Sequence, residues 1–383
     1  MKDIYLDNSA TTPVYPEVIE LMGIVQRMNY GNPSSRHRKG IEAEKLINLA
    51  REKIFEALGV SGGTIIFTSG GTESNNLAVG GISLRNRRRG NHIITSLIEH
   101  PSVLNMYKKL EKEGFKVSFL SVNQEGEVNK DELEKLINPE TILVSIVHAN
   151  NETGFIQDIG ALGKLIKNRE PNTYFHVDAV QSFCKTKIRP IESLVDSVSL
   201  SAHKIHGPKG IGALWIRKES ALHPLFEGGD QEKGLRPGTE NTAAICGFGE
   251  AVSIALKNNN AIKIVYILKK LFYEKLAGSL DIDLNGPSLH EGAPHILNIS
   301  FSGVRGETLA SALESEGVFV SPGSACHSRR PEPSHVLKAM GLNDKRIESA
   351  LRFSFSVLND EKEIDEAASI TIDCVKDLRA LMS

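Results

Sequence analysis

Long hydrophobic runs are what this sequence most plainly lacks. No apolar stretch approaches the roughly 20 residues that a membrane-crossing helix requires, which argues against a helical membrane protein. The N-terminus, MKDIYLDNSATTP, has no apolar core of the signal-peptide kind and is already patterned like folded chain. A basic excess is missing too. The 45 Lys and Arg against 47 Asp and Glu leave a formal charge of −2, which speaks against a general nucleic-acid binder. Cysteine is scarce, with four residues at 184, 246, 326 and 374 and no CxxC pair. That count excludes a disulfide framework and gives no structural zinc or other metal site, and it suits a reducing compartment, with the cytoplasm as the default. Neither the GxxxxGK[ST] loop nor the GxGxxG turn of nucleotide-binding folds is present. Internal repeats and low-complexity segments are absent as well.

What is present is an ordinary soluble composition, 40% hydrophobic and 24% charged, over 383 residues. That length holds one large α/β domain with a smaller companion. Helical spacing is expected over Glu17 to Arg27 and Ile41 to Leu58, with Gly59 as the cap. A short strand Ile65 to Thr68 then feeds the small-residue loop Ser69-Gly70-Gly71-Thr72 and a helix start, a ready anion site of backbone N–H groups. Strands are predicted at Ile93–Thr95, Val117–Leu120, Ile142–Val147, Tyr174–Val177 and Ile211–Ile216, with helices between most of them. Repeated β-α alternation predicts a mostly parallel sheet covered by helices on both faces. Long helices are expected at Ala243–Leu256 and Ile262–Ala277. The remainder reads as a separate α+β domain, with strands at Leu297–Phe301, Val318–Val320 and Leu351–Ser354 and the boundary near 257–262.

The stretch VDSVSLSAHKIHGPKGIGALWIR reads as a strand, a compact turn and another strand. Lys204 stands at the mouth of that turn. A lysine there can form an imine with a carbonyl cofactor, a role that burial assists by lowering the amine pKa. Most lysines are solvated surface charges, so the weight falls on its company. Thr72, His100, Asn151, Asp178, Gln181 and Lys204 all lie just past predicted strand ends, where ligands of such sheets bind. Asp178 could hold a ring nitrogen protonated, and an imine-forming lysine with an acid partner is what pyridoxal 5'-phosphate requires. Gly71 and Thr72 would take its phosphate, with Ser201 and His203 donating from the other side. His100 could stack on the ring and exchange protons, while Asn151 and Gln181 could donate to the ring hydroxyl. Singly, each has a plain alternative: a cap, a satisfied core histidine, a surface amide.

A second centre is SPGSACHSRRP, residues 321–331. Its Cys326 sits in a Gly/Ser/Pro-rich loop beside His327, Arg329 and Arg330, an electropositive setting that favours the thiolate. Cys184, Cys246 and Cys374 read as small buried hydrophobes. Arg352, in a predicted strand close behind, could grip a substrate carboxylate in bidentate fashion, or serve as a structural ion pair.

The strings YLDNSATTP, GNPSSRH, FTSGGTESNN, EHPSVL, NNETG, HVDAVQS, SAHKIHGPKG, RPGTEN, SPGSAC, EPSHVL and LRFS run nearly end to end. Together they resemble the cysteine desulfurases of the NifS/IscS type, within the fold-type-I pyridoxal phosphate enzymes. The resemblance implies a large domain, 14–258, with a mostly parallel seven-stranded sheet. A smaller α+β domain would comprise 1–13 plus 259–383 and carry the catalytic cysteine loop. It implies that Lys204 carries the cofactor, Asp178 pairs with its nitrogen and His100 stacks on the ring, with Asn151 and Gln181 in contact. Gly71, Thr72, Ser201 and His203 would hold the phosphate, joined by Thr239 from the partner subunit of a homodimer. Arg352, with Asn32 nearby, would bind the substrate carboxylate. Cys326 would attack the sulfur of L-cysteine, keep it as a persulfide and release L-alanine. The sulfur would pass to an acceptor protein serving iron–sulfur cluster assembly, tRNA thiolation or both.

The chain departs from that pattern at Ala202, Asp230, Pro237 and His327. Three other readings compete. One is a selenocysteine lyase; a second is an aminotransferase, which needs no nucleophilic cysteine. The third is a catalytically lapsed scaffold in a sulfur-transfer complex, against which Lys204, Asp178, His100 and Cys326 together argue. The run Arg85, Arg87, Arg88, Arg89 reads as a solvated, dipole-matched helix end, with partner docking as the lesser alternative.

Overall fold

The computed structural model describes residues 3–258, 260–322 and 333–382. Among the described residues thirteen strands follow in chain order: β1 (Ile4–Tyr5), β2 (Thr64–Thr68), β3 (His92–Ser96), β4 (Lys116–Leu120), β5 (Thr141–Val147), β6 (Tyr174–Asp178), β7 (Ser197–Ser201), β8 (Gly212–Ile216), β9 (Asp283–Leu284), β10 (Ile296–Ser300), β11 (Val318–Phe319), β12 (Ser321–Pro322) and β13 (Ala350–Ser354). Seven of them form one sheet in the order β2-β8-β7-β6-β5-β3-β4. Its pairs are parallel except those of β8, which runs antiparallel to both neighbours. The strand residues of β5, TILVSIV, are all buried, as expected where helices cover both faces and alternation is lost.

The helices that matter to the site begin at strand ends. Helix α1 spans Pro16–Met28 and α2 spans Arg38–Leu58, closed by Gly59 in the left-handed conformation (φ 63°). Helix α3 (Gly71–Asn86) follows β2, and α4 (Pro101–Lys112) follows β3, with His100 as its N-cap and Pro101 in its first turn. Proline suits that position because its missing N–H would have no partner there. Of the arginine run at the end of α3, Arg85 donates to the Ser220 carbonyl, Arg87 to that of Glu113 and Arg89 to that of Ile142. Those bonds favour the structural reading of the run over docking.

A second sheet, β12-β13-β10-β9, is antiparallel. It packs with helices Ala261–Ala277 and Glu361–Met382 around Leu268, Phe272, Phe353 and Phe355. Ile4 and Leu6 belong to this core, through parallel pairing of β1 with β11 and an Asp7–Ser354 bridge. The N-terminal segment therefore starts in one core and runs onto the other. Of the three cysteines among the described residues, Cys246 is buried while Cys184 and Cys374 are only partly so. The expectation of three small buried hydrophobes holds for Cys246, while Cys184 and Cys374 pack against their cores only in part.

Close backbone approach fixes the loop after β2. A Cβ on Gly212 would lie 2.7 Å from the Gly70 backbone and 2.7 Å from the Leu200 carbonyl oxygen. Gly212→Ala should therefore cost about 1–3 kcal/mol through overpacking, read as a fall of several degrees in Tm. Gly62→Ala, where the new Cβ meets nothing within 4 Å, should leave Tm unchanged. Equal Tm values for the two variants would show that the approach of β8 to Gly70 is not a tight constraint.

Candidate functional site

The parallel strands deliver their C-terminal ends to one edge of the large sheet, and the predicted polar residues collect there. Asp178 ends β6 and is buried. Its Oδ2 accepts from Asn75 Nδ2 (2.7 Å) and its Oδ1 from the Val180 N–H (3.0 Å). Asn75, on the first turns of α3, also donates to the Ser102 hydroxyl (2.9 Å). Ser102 in turn meets His100 Nδ1 at 2.8 Å. His100 is thus an exposed helix cap joined to Asp178 through two side chains, rather than a core histidine.

Ser201 ends β7, two residues beyond Ser199, which pairs with Asp178. Its hydroxyl is buried and has no partner among the described residues. A Cβ built on Gly71 would lie 3.7 Å from Ser201 Cβ and 2.6 Å from Val180, so the helix start and the orphan hydroxyl face each other at close range. Exposed N–H groups, a positive helix end and an unpaired donor make an anion cradle. The cradle fits a phosphate. The loop bearing Thr239 is tied to the same helix start, because Arg236 pairs with Glu73 (2.8 Å) and Glu73 also accepts from the Ser69 N–H (2.7 Å). Thr239 itself is exposed.

Lys204 lies in the short 3-10 turn Ala202–Lys204. Its Nζ donates to the carbonyl oxygens of Ser9 and Ala10, the latter at 2.7 Å. Burial, reinforced by the nearby Arg352 cation, brings its pKa down to about 7, against the opposing pull of Asp7 and Asp178. Lys185, which lines a cavity of about 70 Å³ together with Lys204, is likewise pushed to about 7, by burial first and then by Lys204. His203 is held near 4 by burial and by Lys204, Lys209 and Lys185, and its Nδ1 meets the Thr11 hydroxyl at 3.2 Å. Gln181 donates to the Ser9 carbonyl (2.9 Å), the oxygen that also receives Lys204.

Arg352 on β13 approaches from the second sheet. Its Nη1 donates to the Asn151 carbonyl (2.9 Å) and its Nη2 to Asp7 Oδ1 (2.8 Å). The structure thus brings Asn151 to the site through its backbone. Asn32 stands between α1 and α2, its Oδ1 accepting from the Ser34 N–H (2.9 Å). It shares no hydrogen bond with the other site residues among those described. Cys326, with His327, Arg329 and Arg330, lies outside the described residues. The chain on either side of that segment is anchored at the site. Ser321 pairs with Arg352, Ser334 donates to Glu152 Oε2, and His335 Nε2 contacts the Glu99 carbonyl at 3.0 Å.

Several site residues escaped the sequence reading. Asn75 looked like one more polar residue in SGGTESNN. Asp7, Ser9 and Ala10 looked like part of a small-residue turn, and two of them act through main-chain oxygens that carry no residue-type signal. Glu99 is fully buried and its pKa is raised to about 8 by burial, despite bonds from Ser96 Oγ and the Val147 N–H. It therefore keeps its proton at neutral pH beside His100.

Comparison with known proteins extends the geometry. The aminotransferase class-V family model matches residues 4–367. A cysteine desulfurase IscS of Clostridium botulinum is 42% identical over 383 residues, covering 99% of this chain and 96% of that one. A solved structure described as a NifS-like protein superposes with a TM-score of 0.92 at 39% identity, covering 98% of this chain and 100% of its own. Another, described as SspA in complex with cysteine, gives 0.82 at 36% identity, with 92% and 99% covered.

The lysine chemistry can be read directly. In protein stripped of cofactor, acylation of Lys204 followed by mass spectrometry should show a midpoint at about pH 7, not the ordinary lysine value of about 10.4. Because the Arg352 cation disfavours the protonated amine, Arg352→Leu should move that midpoint upward. A wild-type midpoint near the ordinary value would contradict the burial described here.

Proposed function

This chain belongs to the class-V aminotransferase family, among the IscS-type cysteine desulfurases, and on that footing we propose that it uses pyridoxal 5'-phosphate to convert L-cysteine to L-alanine while taking the sulfur as a persulfide on Cys326. The observation that carries the reading is the pairing of a desolvated lysine with an anion cradle and a buried carboxylate at adjoining strand ends. Pyridoxal phosphate, when bound, supplies an electron sink for bonds at the substrate Cα and Cβ. The residues present fit it. Gly71, Thr72, Ser201 and His203 would hold the phosphate, and Asp178, fixed by Asn75, would hold the ring nitrogen. His100, Asn151 and Gln181 would line the ring.

The chain's own groups divide the remaining work. Arg352, whose Nε has no partner among the described residues, would bind the substrate carboxylate. The Lys204 amine, neutral above about pH 7, attaches the cofactor. The Ser9 and Ala10 carbonyls accept hydrogen bonds from that amine, and so placed the lysine would carry a proton to and from the substrate carbon as general acid and base. Cys326 as thiolate attacks the substrate sulfur. An S–S bond forms, the substrate C–S bond breaks, and the carbon fragment leaves as alanine after protonation.

We place the sulfur next on an acceptor protein of iron–sulfur assembly or tRNA thiolation, in the cytoplasm. The active form would be a homodimer, with Thr239 serving the neighbouring subunit. Ile19, Ile24, Met28, Tyr30, Ile41 and Leu49 leave apolar surface on and around α1 and α2, and such surface supports a self-association face. We divide the chain into a large domain, 14–258, and a small one, 1–13 plus 259–383; the cluster that joins Ile4 and Leu6 to Phe272 and Phe353 supports that division.

Purified protein given L-cysteine and a reductant should form alanine and sulfide in equal amounts. Cys326→Ala should keep the yellow cofactor absorbance and lose sulfide by on the order of 10³-fold or more. Lys204→Ala should lose the lysine-bound absorbance, and an unaltered spectrum there would sink the assignment of that lysine. A yellow wild-type protein that forms neither product, even with an acceptor protein supplied, would redirect the reading to another amino acid.

A further inference from the structure

Asp7 has no part in the chemistry above, yet it meets the residue that binds substrate. Arg352 is 8% exposed. One of its nitrogens is committed to the Asn151 carbonyl and one to Asp7, while Nε has no partner among the described residues. The position of Asp7 is itself fixed. Its backbone bridges Ser354 on the strand that carries Arg352. Its carbonyl accepts from the Ala10 N–H (3.0 Å), and Ala10 is one of the two residues that hold Lys204. One carboxylate thus stands within electrostatic reach of both the Arg352 guanidinium and the Lys204 amine. A buried guanidinium with no counter-charge would bind any carboxylate tightly and let it go slowly. One already paired with a fixed acid binds a carboxylate less tightly and repels a second negative charge.

We propose that Asp7 is a positioning and specificity-determining residue. It holds Arg352 Nη2 so that the guanidinium is fixed where one substrate carboxylate would bind, and its charge keeps the site selective for monocarboxylic amino acids and quick to release product. The role rests on the assignment of Arg352 made above.

Two variants separate orientation from charge. Asp7→Asn keeps the acceptor for Nη2 and removes the charge, whereas Asp7→Ala removes both. Each holoenzyme is titrated calorimetrically with L-alanine and, separately, with L-aspartate. Asp7→Asn should bind L-alanine about tenfold tighter than wild type and should gain affinity for L-aspartate. Its KM for L-cysteine should fall, and its kcat should fall with slower product release. Asp7→Ala should instead raise KM about tenfold. The pH midpoint of the cofactor absorbance should move downward in Asp7→Asn, because a carboxylate that favours positive charge on the Lys204 nitrogen is lost. A merely structural acid would lower Tm and leave that midpoint and the alanine-to-aspartate preference alone. Wild-type affinities for both amino acids in Asp7→Asn, or identical behaviour of the two variants, would overturn the role of Asp7. A wild-type holoenzyme that binds neither L-alanine nor L-cysteine would overturn the reading of Arg352, and the role of Asp7 with it.

Discussion

The attachment of Lys204 to the carbonyl oxygens of Ser9 and Ala10 is the contact on which the rest of the site depends. A desolvated amine needs acceptors for its hydrogens, and an uncompensated buried polar group is costly. Main-chain carbonyls meet that need without adding a full negative charge, so the lysine is held and still keeps a pKa near 7. The same few residues carry other connections. Thr12 binds the His203 carbonyl through both its N–H and its hydroxyl, and that hydroxyl accepts from the His206 N–H. Asn8 donates to the Ser354 carbonyl, and Asp7 pairs with Arg352. The N-terminal segment is therefore a strap between the turn that presents the lysine and the sheet that presents the arginine.

Cations predominate around the strap, with Asp7 and Asp178 as the opposing charges. Lys204, Lys185 and Arg352 lie close together, and His295 is pushed well below its ordinary pKa by burial and by those cations. Such an arrangement works against stability, because burying like charges together costs free energy that packing elsewhere must offset. It is also what an anionic cofactor and a substrate carboxylate would complement. Groups strained in this way collect where ligands bind, and the strain reads as a property of function.

Second-layer contacts keep the edges of the site in place. Arg236 and Glu73 tie the loop after β8 to the start of α3, and Glu232 joins Arg51 (3.0 Å) to the Phe67 N–H (3.0 Å) on β2. On the opposite side, Glu152 and the Glu99 carbonyl receive Ser334 and His335. The loop carrying Asn151 is in this way coupled both to Arg352 and to the chain just beyond the Cys326 segment.

The sequence alone determined the layout. Apolar strands alternating with helices fixed a mostly parallel sheet, because period and turn chemistry are local properties that survive in the one-dimensional string. It also put forward Lys204, Asp178 and Ser201 as candidates, side chains of recognisable chemistry at or just past strand ends. Only the tertiary structure decided how those groups are tuned. The Ser9 and Ala10 carbonyls act through backbone common to every residue type, so no composition or motif could single them out. Asn75 and Asp7 lie 103 and 345 positions from the partners they fix, and Glu99 keeps its proton only because the fold removes it from water. Spacing along a chain reports what repeats over a few residues. Distances between remote segments, and the desolvation they impose, exist only once the two cores have closed around the N-terminal strap.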